Sequence, residues 1–418
     1  AAGAFLTSQR RLNFFRAIPF SVREKFANFA GMKRRTTLNA PLLPLAACLI
    51  VGIVVGHDVE AVNELHSLII LVVAVSVTVL LTRWPRWQTA GIWCCTALLG
   101  FHLSNQNISL PEPSVLTNAR QNMLQMRSQL TQQYHDAGLE GEAYAIVSAM
   151  SLGDKSAMTT DIRRAYNETG AAHVLALSGL HLGIIYWLVT FLTLGGRWRF
   201  VSQVVAILVI WGFAFLTGLS PSIVRSATML TIYALMNLGY RRHASVNVLA
   251  FTAILMLALT PTAVFDIGFQ MSFLAVLSIL LFYPLLYGLL PLPFLQSHAA
   301  IRFLWGTIAV SVAAQIGVTP LIAFYFHRFS TYFLLANFVV IPEAYLILIG
   351  SLVLLVSGSG FVASLLTAVA TYAGRLLAAI SLLPGALVEP LCPTALQVGL
   401  VYVVIASLYV VASTLCRT

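Results

Sequence analysis

The sequence predicts an all-α, polytopic integral membrane protein with about twelve transmembrane helices, some broken or re-entrant, plus amphipathic surface helices. Of its 418 residues, 59% are hydrophobic and only 9% are charged. Soluble domains carry about 25% charged residues, so this chain cannot cover a water-facing surface. Its apolar runs are long and do not alternate with polar residues, which favours helices over a transmembrane barrel.

Apolar segments close to the roughly 20 residues that a bilayer requires recur along the chain. Residues 320–329 are too short to span and are predicted to be re-entrant. Gly317 and Pro320 are expected to break the helix before them, and Pro342 is expected to break the next one. The predicted spans are residues 42–55, 67–81, 88–103, 171–194, 200–216, 222–238, 244–259, 264–290, 300–318, 332–356, 361–383 and 394–415.

The net charge of +10 is first an orientation signal, because eight of the 24 basic residues precede Ala40. Cytoplasmic loops are enriched in Lys and Arg, which puts the N-terminus in the cytoplasm. The acidic stretch 58–64 then faces outward, and the basic stretch 83–86 faces inward. Charge placed in this way does not by itself indicate a nucleic-acid surface.

Composition divides the chain into successive parts. Residues 1–31 are expected to be a basic, non-native extension or a basic interfacial helix, because Met32 opens a basic start before an apolar span. Residues 32–103 form N-terminal transmembrane helices, and residues 171–418 form the membrane core. Between them, residues 104–170 are predicted to be a periplasmic amphipathic helical segment. Within that segment, Thr159 or Thr160 is expected to cap a helix that Gly170 ends.

The stretch AAHVLALSGLHLG, residues 171–183, places polar groups in the first half of an apolar segment. At about 100° per residue, His173, Ser178 and His181 fit one side of a helix. The Ser178–Gly179 pair favours a kink or a local unwinding, and broken membrane helices present backbone groups to a substrate. The alternative is that both histidines bond to neighbouring carbonyls while Gly179 allows close helix packing.

Two further segments bring charge into the apolar core. In TGLSPSIVRSATML, residues 217–230, Arg225 lies one turn into a helix, an arrangement suited to a phosphate or carboxylate. A snorkelling or salt-bridged arginine is the alternative. In VFDIGFQMSFLAVLSIL, residues 264–280, Asp266 and Gln270 share a helix face. Asp266 is predicted to pair with Arg225, which would neutralise both charges.

A last segment, residues 314–348, carries Gln315, Asn337 and Glu343 close to prolines. Helix breaks beside polar groups are typical of a lined cavity. No cofactor and no metal site is predicted, because the five cysteines and the histidines form no ligand motif.

Four of these segments, HVLALSGLHLG, TGLSPSIVRSA, FDIGFQMSFLAVLSI and ANFVVIPEAYLIL, resemble the ComEC competence protein family in sequence and in order. The resemblance covers roughly residues 140–360. It implies an inner-membrane channel of bacteria that imports single-stranded DNA during natural transformation. It also implies a periplasmic DNA-binding protein and a cytoplasmic helicase-like ATPase as partners, together with membrane lipid.

Two departures from the family bear on activity. Its members commonly carry a small OB-type barrel after the N-terminal helices, where this chain has the helical interval 104–170. Many also carry a metallo-β-lactamase-like domain, and this sequence contains no HxHxDH-like metal motif. A channel or transporter without a nuclease motif, rather than an enzyme, is therefore expected, as a fragment or as a reduced membrane core.

With a DNA strand as the substrate, most of the polar residues above are expected to line its path. These are His173, Ser178, Gly179, His181, Arg225, Gln270, Gln315 and Asn337. The expected structural counter-charges or gates are Asp266 and Glu343.

Two other functions stay open. Broken helices and sparse charge also suit a transporter of another anionic substrate, such as a lipid intermediate. An intramembrane serine hydrolase would need a histidine base beside Ser178, for which His243, His298 and His327 are candidates.

Overall fold

The structure, a computed structural model, describes residues 40–59, 64–106, 114–193, 198–238 and 245–415. Helices fill most of these ranges, and two short strands occur near the end. The all-helical prediction is therefore confirmed for the described part of the chain. The expected extension at residues 1–31 and the Met32 start lie outside the described residues.

The helices follow one another closely, with short connections between most of them. The first are α1 (Leu42–Asp58), α2 (Glu64–Leu80), α3 (Pro85–Asn105), α4 (Ser114–Asp136), α5 (Gly141–Leu152), α6 (Thr160–Glu168) and α7 (Ala172–Leu175). There follow α8 (Gly179–Leu192), α9 (Arg199–Leu216), α10 (Pro221–Leu238), α11 (Ser245–Leu259), α12 (Ile267–Tyr287), α13 (Leu292–Ser297) and α14 (Ala299–Phe326). The last are α15 (Phe333–Ser357), α16 (Gly360–Ser381) and α17 (Ala395–Leu415).

Two strands pair across the last part of the chain. β1 (Phe329–Ser330) follows α14, and β2 (Leu387–Val388) follows α16. They are antiparallel, with Phe329 opposite Val388 and Ser330 opposite Leu387. We call this pair the ribbon.

Many of the described helices suit a bilayer. Seven are long and apolar enough to cross it, namely α2 with the turn after it, α9, α12, α14, α15, α16 and α17. Shorter apolar helices are α1, α8 and α11. Because every predicted apolar segment also overlaps at least one helix, a multi-pass membrane protein is supported, whereas the count of twelve spans stays a prediction.

Two predicted helix breaks are wrong. α14 runs unbroken through Gly317 and Pro320, and α15 runs unbroken through Pro342. A proline disturbs the hydrogen bonds of the preceding turn, and here the Tyr402 hydroxyl of α17 donates to the Gly317 carbonyl at 2.8 Å. A neighbouring helix thus supports the disturbed turn. Most of the predicted re-entrant segment is the last part of α14.

Helices α1 and α3 approach until their backbones touch. Gly52 and Gly56 form a GxxxG pair on α1, and Gly100 of α3 also faces the contact. A side-chain carbon at Gly52 would collide with the Ala97 carbonyl, and one at Gly100 would collide with the Leu49 carbonyl. Small residues permit such an approach in lipid, where helix association depends on close packing.

The segment predicted to be amphipathic contains helices of different character. α4 exposes most of its described polar side chains, as a surface helix does. α5 is a short helix, as expected from the sequence, and every residue from 145 to 152 is buried. The side chains of residues 145–152 are apolar, apart from Ser148 and Ser151, whose hydroxyls donate to carbonyls of the same helix. Such hydroxyls need no water, so α5 can lie in the core.

Helix α6 begins and ends as predicted. The Thr159 hydroxyl accepts from the Ile162 N–H at 3.4 Å. At the other end Gly170 has a φ of +77°, and the Ala171 N–H bonds to the Tyr166 carbonyl at 2.8 Å. This Schellman ending fixes the direction in which the chain leaves Tyr166, a residue that is fully buried.

Apolar clusters join the described helices. The largest packs α5, α6 and α7 against α15 and α16. A second joins α8, α9 and α10 to Leu348 of α15, and a third joins α1, α11 and α12. Helix α15 therefore links the buried part of the 104–170 segment to the predicted core.

We predict that Gly52→Ala destabilises the protein by about 1–3 kcal/mol, the usual cost of overpacking, because α1 and α3 must separate. The matched control is Gly212→Ala on α9, where an added carbon meets nothing within 4 Å. Thermal unfolding in detergent, followed as the monodisperse fraction on size exclusion, measures the difference. Equal losses for both variants would contradict the close packing of α1 on α3.

Candidate functional site

Five core helices contact one another in a closed circuit. α8 packs on α10, α10 on α12, α12 on α14, α14 on α15, and α15 on α8. We call them the five-helix circuit. Of the residues singled out from the sequence, His173 lies on α7, outside the circuit. The others belong to circuit helices or cap them: Ser178, Gly179, His181, Arg225, Asp266, Gln270, Gln315, Asn337 and Glu343.

The predicted helix over residues 171–194 is broken at Ser178, as its Ser–Gly pair indicated. α7 ends at Leu175, and Ser178 is extended, with φ −126° and ψ 175°, before α8 begins. His173 and His181 therefore lie on separate helices. His173 is exposed, and its Nδ1 donates to the Gly170 carbonyl at 3.1 Å. The single helix face predicted for both histidines is wrong, because the break intervenes.

His181 is fully buried in the first turn of α8. Its Nδ1 accepts from the Ser178 backbone N–H at 3.3 Å, so a neutral ring carries its proton on Nε2. Among the described residues Nε2 has no hydrogen-bond partner. The first turn of α8 thus holds a buried N–H donor that has no acceptor among the described residues.

Helix α8 meets α10 beside this donor. A carbon added at Gly179 would lie 3.1 Å from the Ser226 hydroxyl of α10. The absence of a side chain at Gly179 therefore permits the contact, which is the close packing that one interpretation of the sequence expected. The contact also brings the start of α8 next to Arg225, the neighbour of Ser226.

Arg225 and Asp266 form the predicted pair between α10 and α12. The Arg225 side chain is buried, and its Nη1 lies 3.4 Å from Asp266 Oδ1. Asp266 also caps α12, because the same oxygen accepts from the Phe269 N–H at 2.6 Å. Arg225 Nε has no hydrogen-bond partner among the described residues. The pair thus leaves a second buried N–H donor, on α10 and directed towards the start of α12.

The amide side chains of the circuit join α14 to its neighbours. Gln270 of α12 accepts from the Tyr325 hydroxyl of α14 at 2.9 Å. Asn337 of α15 donates to the Ser311 hydroxyl of α14 at 3.0 Å. These contacts hold α12, α14 and α15 in register.

Glu343 lies on α15 and faces α6. The side chain is buried, and Oε1 accepts from the Tyr166 hydroxyl at 2.9 Å. Burial and the neighbouring carboxylate raise the pKa of Tyr166, so its hydroxyl remains a proton donor. The sequence indicated a gate or pairing role for Glu343 but not its partner, which lies 177 residues away.

Gln315 lines an apolar cavity of about 620 Å³ between α12, α14 and α17. The rings of Phe282, Phe329 and Phe333 share its wall. The sequence analysis did not single out these rings, because a phenylalanine in an apolar segment gives no sign of what it faces. The spacing of polar residues along α14 could have located this wall in the sequence. Gln315 and Thr319, which both line it, are one helical turn apart.

The geometry does not assemble the predicted serine–base pairs. Ser178 Oγ lies 3.3 Å from His181 Nδ1. His298 and His327 each hydrogen-bond to a backbone carbonyl instead, and His243 lies outside the described residues. Among the residues that the structure describes, His, Cys, Asp and Glu form no group of three or more suited to a metal ion.

We predict that Asp266→Ala destabilises the protein by about 1 kcal/mol more than Asp266→Asn. Both substitutions remove the charge opposite Arg225, but the asparagine oxygen can still accept from the Phe269 N–H. Thermal unfolding in detergent compares them. Indistinguishable midpoints would show that the cap of α12 contributes nothing.

We also predict that Glu343→Leu costs about 1–3 kcal/mol, because it leaves the buried Tyr166 hydroxyl without an acceptor. Glu343→Gln should cost less, since its amide oxygen still accepts. Adding Tyr166→Phe to Glu343→Leu should recover part of the loss, and a double-mutant cycle measures the coupling. Strictly additive effects would count against the hydrogen bond.

The chain has relatives among known proteins. ComE operon protein 3 of Bacillus subtilis (strain 168) is 30% identical over 240 residues, which are 57% of this chain and 29% of that protein. An uncharacterized protein of Aquifex aeolicus (strain VF5) is 33% identical over 158 residues, 37% of each chain. The uncharacterized protein YcaI of Escherichia coli (strain K12) is 24% identical over 206 residues, 47% of this chain and 27% of YcaI.

These matches span well under half of each relative's own length. No solved structure matches the chain. The model of the Competence protein family matches residues 150–415, from within α5 to the end of α17. That match covers more than half of the chain and includes the whole five-helix circuit, in agreement with the resemblance to ComEC proteins. The chain is therefore a member of the Competence protein family.

Proposed function

We propose that the chain forms a channel through which single-stranded DNA crosses the bacterial inner membrane during natural transformation. Membership of the Competence family supports a role in DNA uptake. The observation that carries the proposal further is the pair of buried N–H donors, His181 Nε2 and Arg225 Nε, which lack partners among the described residues. A phosphate oxygen is an acceptor that both can bind.

The charge of the circuit suits an anionic strand. A DNA strand carries one negative charge per nucleotide, so unpaired carboxylates along its path would repel it. Of the two described carboxylates of the circuit, Asp266 is paired with Arg225, and Glu343 faces α6, where its Oε1 accepts from the Tyr166 hydroxyl. We therefore assign Asp266 and Glu343 to holding helices together and His181 and Arg225 to the path.

The remaining path residues follow from the same reasoning. Ser178 and Gly179 form the break that positions His181, and Gln270 and Asn337 fix α14 between its neighbours. Gln315 contributes an amide to an otherwise apolar cavity wall. His173 lies outside the circuit and is exposed, so we place it at the entrance to the path rather than within it.

The placement of basic residues supports an N-terminus in the cytoplasm. Import would then run from the periplasm inward, with a periplasmic DNA-binding protein delivering the strand. The sequence contains no nucleotide-binding loop, so we propose that a cytoplasmic helicase-like ATPase supplies the work.

One observation favours a second function, the transport of an anionic lipid intermediate. The cavity beside Gln315 is lined mostly by apolar side chains, as an acyl chain would require. The DNA proposal remains the better supported, because the chain belongs to the Competence protein family.

We predict that this chain restores transformation to a host that lacks its own channel, and that Arg225→Gln lowers the transformation frequency about tenfold or more. A tenfold loss corresponds to about 1.4 kcal/mol in the barrier. Arg86→Gln on α3 removes the same charge from an exposed position outside the family match and should leave the frequency unchanged. All variants are compared at equal membrane levels.

A second pair of variants separates donor chemistry from packing. His181→Gln keeps an N–H donor in the first turn of α8 and should retain more activity than His181→Phe, which keeps only bulk. If the inserted parent restores nothing with the ATPase and periplasmic carrier present, the DNA proposal fails. Uptake of a labelled anionic lipid would then favour the transporter.

A further inference from the structure

A polar groove of about 330 Å³ lies between α6 and the ribbon. We call it the ribbon groove. Its charged side chains are Arg163, Arg164 and Glu168 from α6, and Arg328 and Glu389 from the ribbon and its flanks. At about 30 Å³ per water, the groove holds the volume of about ten waters, enough for a phosphate with its sugar.

Helix periodicity builds the α6 wall of the groove. Thr160, Arg163 and Asn167 follow one another at helical spacing, so they share a face. A neighbouring face carries Ile162 and Tyr166, which are buried in the largest apolar cluster. The Tyr166–Glu343 hydrogen bond anchors that buried face, so the arginines stand on a fixed helix.

The ribbon supplies the other wall. Phe329 pairs with Val388, and the residues next to them, Arg328 and Glu389, both line the groove. Successive residues of a strand face opposite sides. Accordingly Arg328 lines the ribbon groove, while Phe329 lines the apolar cavity beside Gln315.

The groove is lined by more cationic than anionic side chains, with three arginines and two glutamates. Glu168 is taken by Arg164, at 2.6 Å. Within the described ranges neither Arg163 nor Arg328 is in an ion pair. Arg163 also lies beside Lys155, since it donates to the Lys155 carbonyl at 3.3 Å. Burial, and secondarily the charge of Arg163, lowers the pKa of Lys155, as expected where cations crowd together.

We infer that the ribbon groove binds phosphodiester groups of single-stranded DNA, with Arg163 and Arg328 as the phosphate ligands. The inference rests on the proposed function and adds a docking site to it. Guanidinium groups bind phosphate through two parallel hydrogen bonds. Single-strand binders use basic grooves that follow the phosphate backbone. Membership of the Competence family favours DNA over a lipid headgroup as the source of the phosphate.

The test is fluorescence anisotropy of a labelled oligothymidylate of about 16 nucleotides with the full chain in uncharged detergent, at several salt concentrations. Each phosphate contact contributes about 0.7 to the slope of log affinity against log salt for single strands. The double variant Arg163→Gln/Arg328→Gln should therefore flatten that slope by about 1.4. The control Arg83→Gln/Arg86→Gln removes the same charge from another surface and should leave the slope unchanged.

A substitution that removes a negative charge from the groove provides a second test. Glu389→Gln removes a negative charge from the lining of the groove, so the variant should bind the oligonucleotide more tightly than the parent. Equal slopes for the groove and control doubles would overturn the inference. So would a groove double that keeps its DNA affinity but loses binding to phosphatidylglycerol vesicles, which would assign the groove to lipid.

Transformation in the complemented host separates this inference from the proposed function. If the parent restores transformation, and the groove double matches it in both frequency and DNA affinity, only the ribbon groove is refuted. If the parent neither restores transformation nor binds the oligonucleotide, the proposed function fails and the groove inference fails with it. A monodisperse size-exclusion profile confirms that each variant is folded.

Discussion

Hydrocarbon offers no hydrogen-bond partner, and this constraint shapes three interfaces of the five-helix circuit. A buried polar group must find its partner inside the protein or remain costly. Arg225 finds Asp266, Asn337 finds Ser311, and Gln270 finds Tyr325, each on the next helix. Because these partners lie on neighbouring helices, satisfying them also sets the register of the bundle. The same polar groups that suggest a hydrated path are therefore structural.

Within the five-helix circuit, the buried polar atoms that lack a hydrogen-bond partner fall on different helices, donors on some and acceptors on another. His181 and Arg225, on α8 and α10, each keep a buried N–H donor without a partner in the described residues. Asn337 and Glu343, on α15, each keep a buried acceptor oxygen in the same condition. Donors on one side and acceptors on the other give the circuit a polarity that formal charge alone does not reveal. An anion is attracted to the donor side and repelled by the acceptor side.

Local features of this fold could be predicted from the sequence, and long-range ones could not. The break at Ser178, the caps of α6 and the Arg225–Asp266 pair follow from residue types at short spacing or from charge balance. The continuous helices at Pro320 and Pro342 could not be foreseen, because the Tyr402 hydroxyl that supports the first comes from α17. The burial of α5 and the Phe282, Phe329 and Phe333 cavity likewise depend on which helices meet, and that information is not local.

The hydrogen bond between Tyr166 and Glu343 joins residues 177 positions apart, which has a consequence for biogenesis. At about 5–20 residues per second, the ribosome needs on the order of ten seconds or more to make Glu343 after Tyr166. During that interval α5 and α6 are complete, yet α15 and α16, which pack against them, do not exist. Nascent α5 and α6 must therefore be shielded by the insertion machinery or by lipid until α15 enters the membrane. The order of synthesis thus makes assembly of this core a late event.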